Sequence, residues 1–135
     1  MNKIFLLAKI IVIYLFLISD VVAKQQDYLS KGIKLFNSGQ YFDAHESWEE
    51  LWRETKPPSR QLFYQSLIHA AVGFYHLENE NISGGLAQLR KALKKISSVK
   101  SFDGIDSDFL IKQLSDALTY KQLNKPLIRF KLKDH

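Results

Sequence analysis

The chain contains no cysteine among its 135 residues. Disulfides, zinc-thiolate sites, iron–sulfur clusters and thiol catalysis are thereby excluded together. No Gly-x-Ser-x-Gly elbow, phosphate loop or dinucleotide fingerprint occurs, so a serine hydrolase of that type and the common nucleotide-binding sites are unsupported. Paired Glu-x-x-His motifs, which a di-iron carboxylate bundle requires, are missing as well. Alternation of apolar and polar residues never persists long enough to suggest a sheet. The formal charge of +5 is mild, and neither a zinc finger nor an aromatic RNA-binding signature accompanies it. The basic clusters Arg90-Lys91-Lys94-Lys95 and Arg129-Lys131-Lys133 therefore read as solvated surface, with no specific nucleic-acid binding.

What is present divides into two unequal parts. Residues 1–23 have a short basic start at Lys3, an apolar middle that includes the unbroken run Ile10 to Ile18, and small residues at Val21-Val22-Ala23. This pattern predicts an export signal or a membrane anchor. The apolar stretch of roughly 18 residues just reaches the length a membrane helix needs, with Lys9 as an awkward interruption. Cleavage after Ala23 is the favoured form of this reading. Residues 24–135 form the second part, a single helical domain of ordinary composition.

Within that domain the hydrophobic pattern predicts an all-α fold, a compact antiparallel bundle of about five helices. The first helix spans about Asp27 to Asn37 and ends at Asn37-Ser-Gly39, a sequence suited to a left-handed cap. The second runs about Tyr41 to Glu54 and is stopped by Pro57-Pro58, with Ser59 available to cap the third. The third, about Arg60 to Leu77, is apolar nearly all round and should be the central element. A fourth, about Ser83 to Ile96, and a fifth, capped by Asp106 or Ser107 and ending near Tyr120, complete the set. The segment from Leu127 to Phe130 is expected to lie extended over the bundle.

Chemistry concentrates in the second helix. At 100° per residue, Tyr41, His45, Trp48, Glu49 and Trp52 share one face, with Glu46 at its edge. Ionisable groups facing inward need partners, and Arg60 is the expected counter-ion of Glu46 or Glu49. The third helix adds a polar stripe of Gln65, His69 and His76. His45-Glu46-x-x-Glu49 superficially resembles the zinc-protease His-Glu-x-x-His motif, but Glu49 stands where the second metal-binding histidine belongs. A metal would need His69 or His76 to complete its ligands. Trp48 and Trp52 are expected to anchor the core.

The run Gly32-Ile-x-Leu-Phe36-Asn37-x-Gly39-x-Tyr41-Phe-x-Ala44-His45-Glu46-x-x-Glu49-x-x-Trp52, followed by Arg60, Tyr64-Gln65, Leu67-Ile68, Ala70, His76 and Gly84, resembles the domain of unknown function family numbered 309. The resemblance covers about Gln26 to Leu132. It implies a small helical bundle of bacteria, archaea and plastid-bearing lineages with no established activity. It also places His45, Glu46, Glu49, Trp52, Arg60, Gln65 and His76 on the family's characteristic polar and aromatic positions. Ser66, where many relatives carry glycine, and His69, where they carry glutamine, depart from the pattern.

These features favour a non-enzymatic binding or interaction module whose His/Glu/Arg cluster lines a groove for a small ligand or protein. The alternative is a metal-assisted hydrolase with Glu46 or Glu49 as general base beside His45. No resident cofactor or metal is called for. Export or membrane anchoring follows from residues 1–23, with a plastid location as the alternative.

Overall fold

The computed structural model describes residues 2–132. Five helices follow one another: α1 (Lys3–Asn37), α2 (Tyr41–Glu54), α3 (Pro58–Glu78), α4 (Ile82–Ser97) and α5 (Ser107–Tyr120). Among the described residues the only strand-like pairing is an isolated antiparallel bridge between Ile105 and Phe130. The expected all-α bundle is the observed fold.

α1 runs unbroken from the apolar segment through Ala23 into the domain. The first helix of the bundle is thus the C-terminal part of a 35-residue rod rather than a separate element starting near Asp27. Nothing between Ala23 and Asp27 breaks a helix, since Lys24-Gln25-Gln26 are good helix formers. Its N-terminal half is exposed, from Ile4 to Val22, and only Leu29, Gly32, Ile33 and Phe36 are buried.

The rod ends in a Schellman motif. Gly39 adopts φ +82°, its N–H donates to the Phe36 carbonyl at 3.0 Å, and the Gln40 N–H reaches the Leu35 carbonyl at 2.8 Å. Glycine suits this position because other residues pay a steric penalty there. The chain reverses within three residues, and α2 returns antiparallel along α1.

The buried stripe of α2 is Tyr41, Ala44, Ser47, Trp48 and Leu51. It is rotated from the expected face, so that His45, Glu49 and Trp52 fall on its border and only partly inside. Small residues decide this: Ala44 and Ser47 let α2 settle close to its neighbours, and the Ser47 hydroxyl donates to the Tyr28 carbonyl at 2.8 Å. Phe36, Tyr41, Trp48 and Phe74 then pack as one aromatic cluster, with Phe36 at 5.3, 5.7 and 5.9 Å from the other three ring centres.

α3 is the central helix, with ten buried residues. It starts at Pro58 and has no side-chain cap, so Ser59 does not take the expected role; proline at the first helical position loses no hydrogen bond there. α4 lies against α3 where Gly73 and Gly85 let the backbones approach, a Cβ on either meeting Leu89 or Leu77 well inside van der Waals contact. Asn81 caps α4 through Gly84 N–H at 3.1 Å, and Asp106 caps α5 through Phe109 N–H at 3.1 Å. Phe109 is half-buried beneath the Arg129 guanidinium, 3.8 Å from its ring centre. The tail lies over the bundle as expected, with Ile128 buried.

Candidate functional site

His45 sits on the border of α2 with its side chain 16% exposed. Its Nδ1 lies 2.8 Å from the Phe42 carbonyl and its Nε2 lies 3.2 Å from Glu49 Oε1. The i,i+4 spacing that suggested a shared face thus produces a direct pair. Glu49 also meets Arg53 at 3.6 Å, and Arg53 holds Glu50 at 2.5 Å. The group is a chain of charges along one helix, not a buried constellation. Between this helix and α1 lies a groove of about 580 Å³, where Asp43, Glu46, Glu49 and Glu50 look across to Tyr28 and Lys31.

Arg60 does not pair with Glu46 or Glu49. Its guanidinium donates instead to Asp103 Oδ1 at 2.9 Å and to the Tyr64 hydroxyl at 3.0 Å, while that hydroxyl donates to Asp103 Oδ2 at 2.5 Å. The start of α3 does follow the end of α2, but its first turn points Arg60 toward the α4–α5 loop. There it also covers the Phe102 ring at 4.6 Å. Burial, reinforced by the carboxylate of Asp103, pushes the Tyr64 phenol up to about 12. This closed triad satisfies its own charges.

His76 lies at the opposite end of α3. Sixteen residues of helix separate it from Arg60, about 24 Å along the axis. Its Nδ1 is 3.5 Å from the Asn81 amide nitrogen. Between His45 and His76 runs a series of rings, with Phe42 at 5.0 Å from His45 and 5.4 Å from Tyr75, and Tyr75 at 5.9 Å from His76. Gln65 is half-buried on α3, and Trp52 is half-buried against the core. The structure therefore brings together His45 and Glu49, sets Glu46 beside them on the groove, and leaves Arg60, Gln65 and His76 spread along α3.

His69 belongs to a third cluster. Its Nδ1–H donates to Gln88 Oε1 at 2.8 Å, and its Nε2 accepts from Lys95 Nζ at 2.7 Å. Burial, together with Lys95 and Lys91, holds the His69 imidazole below the usual histidine range. This ring is thereby kept neutral between two helices.

Asp103 and Lys95 are the partners that sequence inspection missed. Both lie far along the chain from the groups they meet, 43 residues for Arg60 and 26 for His69. The one local signal was Asp103-Gly104, a turn dipeptide whose residues both adopt positive φ. Among the described residues, no three histidine, aspartate or glutamate side chains gather closely enough to hold a metal ion. Neither His69 nor His76 completes a ligand set around His45.

A search of solved structures finds no match. Two curated relatives do match. An uncharacterized protein of Aquifex aeolicus is 25% identical over 114 residues, which is 83% of this chain and 34% of the relative. The uncharacterized protein YpuF of Bacillus subtilis is 29% identical over 68 residues, half of this chain and 37% of the relative. The chain thus spans about a third of the length of each. The family model described as a domain of unknown function, DUF309, matches residues 29–87, from the buried end of α1 to the first turns of α4. It takes in the Asn-x-Gly-x-Tyr turn, the α2 groove wall and the whole of α3, so that residues 29–87, somewhat under half of the chain, are similar to the DUF309 family.

Proposed function

We propose that the chain is a non-enzymatic, membrane-anchored binding module, whose α1–α2 groove receives a cationic segment of a partner. The groove carries this reading. Its α2 wall presents four carboxylates, of which Asp43 and Glu46 have no ion-pair partner among the described residues. Acidic side chains left unpaired at a concave surface attract positive ligands and raise their association rate. The triad of Arg60, Tyr64 and Asp103 is saturated, and no three histidine, aspartate or glutamate side chains among the described residues gather around His45 as the metal-assisted alternative requires, which favours the binding reading.

The anchor part of the proposal rests on α1. Its exposed stretch from Ile4 to Val22 has the length and composition to cross a membrane, and the helix continues without a break into the bundle. This continuity supports an anchor retained in the mature chain. Mass measurement of the native N-terminus tests it: a chain starting after Ala23 would refute retention.

The groove is tested by titrating the full chain in detergent with a lysine- and arginine-rich peptide and with an acidic control, followed by calorimetry. Binding of the basic peptide alone, abolished by Asp43→Lys with Glu46→Lys, is expected. Equal binding before and after these substitutions would remove the groove from consideration.

A further inference from the structure

The helix order fixes which part of the bundle faces the anchor. α1 leads away from the apolar segment, α2 returns toward it, α3 leads away, α4 returns and α5 leads away. The α2–α3 turn, the α4–α5 loop and the end of the tail therefore lie at the anchor's end. Contacts show this directly. Gln25 donates its amide to the Glu54 carbonyl at 3.2 Å, Arg60 at the start of α3 holds Asp103 of the α4–α5 loop, and Phe130 of the tail bridges to Ile105. Between the rod and this end lies a cleft of about 740 Å³. Ile18, Val21 and Val22 form one wall, and the other carries Lys56 and Arg60 together with the carboxylates of Glu54 and Asp103.

Nineteen residues from Ile4 to Val22 rise about 28 Å in a helix, close to the roughly 30 Å hydrocarbon core of a bilayer. The headgroup layer then begins near Lys24, and Gln25, with the α2–α3 turn bonded to it, stands at headgroup level. The side chains exposed at this end suit that layer. Phe130 and Leu132 are 53% and 95% exposed. Arg60 and Arg129 are paired with Asp103 and Asp106, but Lys56, Lys100 and Lys131 have no ion-pair partner among the described residues. Exposed apolar tips among unpaired lysines fit an anionic lipid surface.

We propose that this end of the bundle is a phospholipid-docking surface. Lys56, Lys100 and Lys131 meet headgroup phosphates, Phe130 and Leu132 insert at the level of the glycerol backbone, and the cleft beside Val21 and Val22 receives a lipid. The domain is thereby seated on the bilayer rather than tethered above it, with the acidic α1–α2 groove held at a fixed height. This inference rests on the anchor reading given above.

Because no cysteine is present, single labels can be introduced at will. Ile13→Cys, Lys100→Cys, Leu132→Cys and Ser83→Cys, each bearing a fluorophore, are reconstituted as full chains in vesicles of phosphatidylcholine with phosphatidylglycerol. Quenching is read with nitroxides placed on the headgroup or at the acyl-chain end. We expect Ile13 to be quenched from the chain end, and Lys100 and Leu132 to be quenched from the headgroup severalfold more than Ser83 at the far end. Combining Lys56→Glu with Lys131→Glu should reduce quenching at Leu132. If Lys100 and Leu132 match Ser83 while Ile13 remains quenched, the docking surface is wrong and the anchor stands. Absence of quenching at Ile13 overturns the anchor and the docking surface together.

Discussion

The indole of Trp48 lies directly against the α1 backbone at Gly32, and its Nε1–H donates to the Leu29 carbonyl at 3.3 Å. The ring is fully buried, and a methyl group on Gly32 would overlap it. This contact joins the rod that carries the apolar segment to the helix that carries the groove.

Gly32→Ala should accordingly destabilise the protein, although alanine is the better helix former by about 1 kcal/mol. Overpacking a filled core costs about 1–3 kcal/mol, and the rigid ring cannot move aside without disturbing Phe36. Thermal melts of the full chain followed by circular dichroism check this; an unchanged or raised melting temperature would show that the ring has room.

Asn37 grips the tail with both ends of its amide. Its Nδ2 donates to the Ile128 carbonyl at 2.9 Å and its Oδ1 accepts from the Ile128 N–H at 2.7 Å. Asn37→Ala removes both bonds, at about 1–2 kcal/mol. Hydrogen exchange should report faster exchange of the Ile128 amide, with the α3 amides much less affected. Equal protection in the variant would mean that burial of Ile128 alone holds the tail.

The bridge from His69 to Lys95 makes part of the stability depend on pH. Since His69 is held below its usual range of about 6.5 by burial and by Lys95 and Lys91, the unfolded chain binds the proton more readily than the folded one. Its contribution is fully present above about pH 6.5 and is lost as the pH falls through the depressed value. Protonation would also remove the lone pair that accepts from Lys95 and set two cations against each other. Urea midpoints at about pH 7 and pH 5 should fall further for the wild type than for His69→Gln. Parallel losses in the two proteins would assign the acid sensitivity elsewhere.

Glu80 occupies the left-handed position that ends α3, with φ 64°. The same reversal that Gly39 makes freely is made here at the expense of steric strain, about 1 kcal/mol for a residue with a Cβ. Glu80→Gly is expected to raise stability by a part of that amount, because glycine also gains freedom in the unfolded chain. A lower urea midpoint in the variant would indicate that the Glu80 side chain makes a compensating interaction.

How much of this was legible in the sequence depends on distance along the chain. The turn at Gly39, the cap at Asp106 and the His45–Glu49 pair involve residues at most five apart, and local spacing anticipates them. The rotation of the α2 stripe was not legible, because it follows from Ala44 and Ser47 meeting Tyr28 and its neighbours on another helix. Nor was the partner of Arg60, since the nearest acid in the chain loses to one that a later loop delivers.

Sequence by itself determined the all-helical bundle, the apolar rod-forming segment and the carboxylates on α2, since each follows from side-chain type and helical period. Only the tertiary structure decided that the apolar segment and the first bundle helix are one rod, that Asp103 closes on Arg60, and that Phe130 and Lys100 share the end of the bundle nearest the apolar segment. Those relationships are set by helix order and by packing between surfaces distant in the chain, which no local pattern encodes.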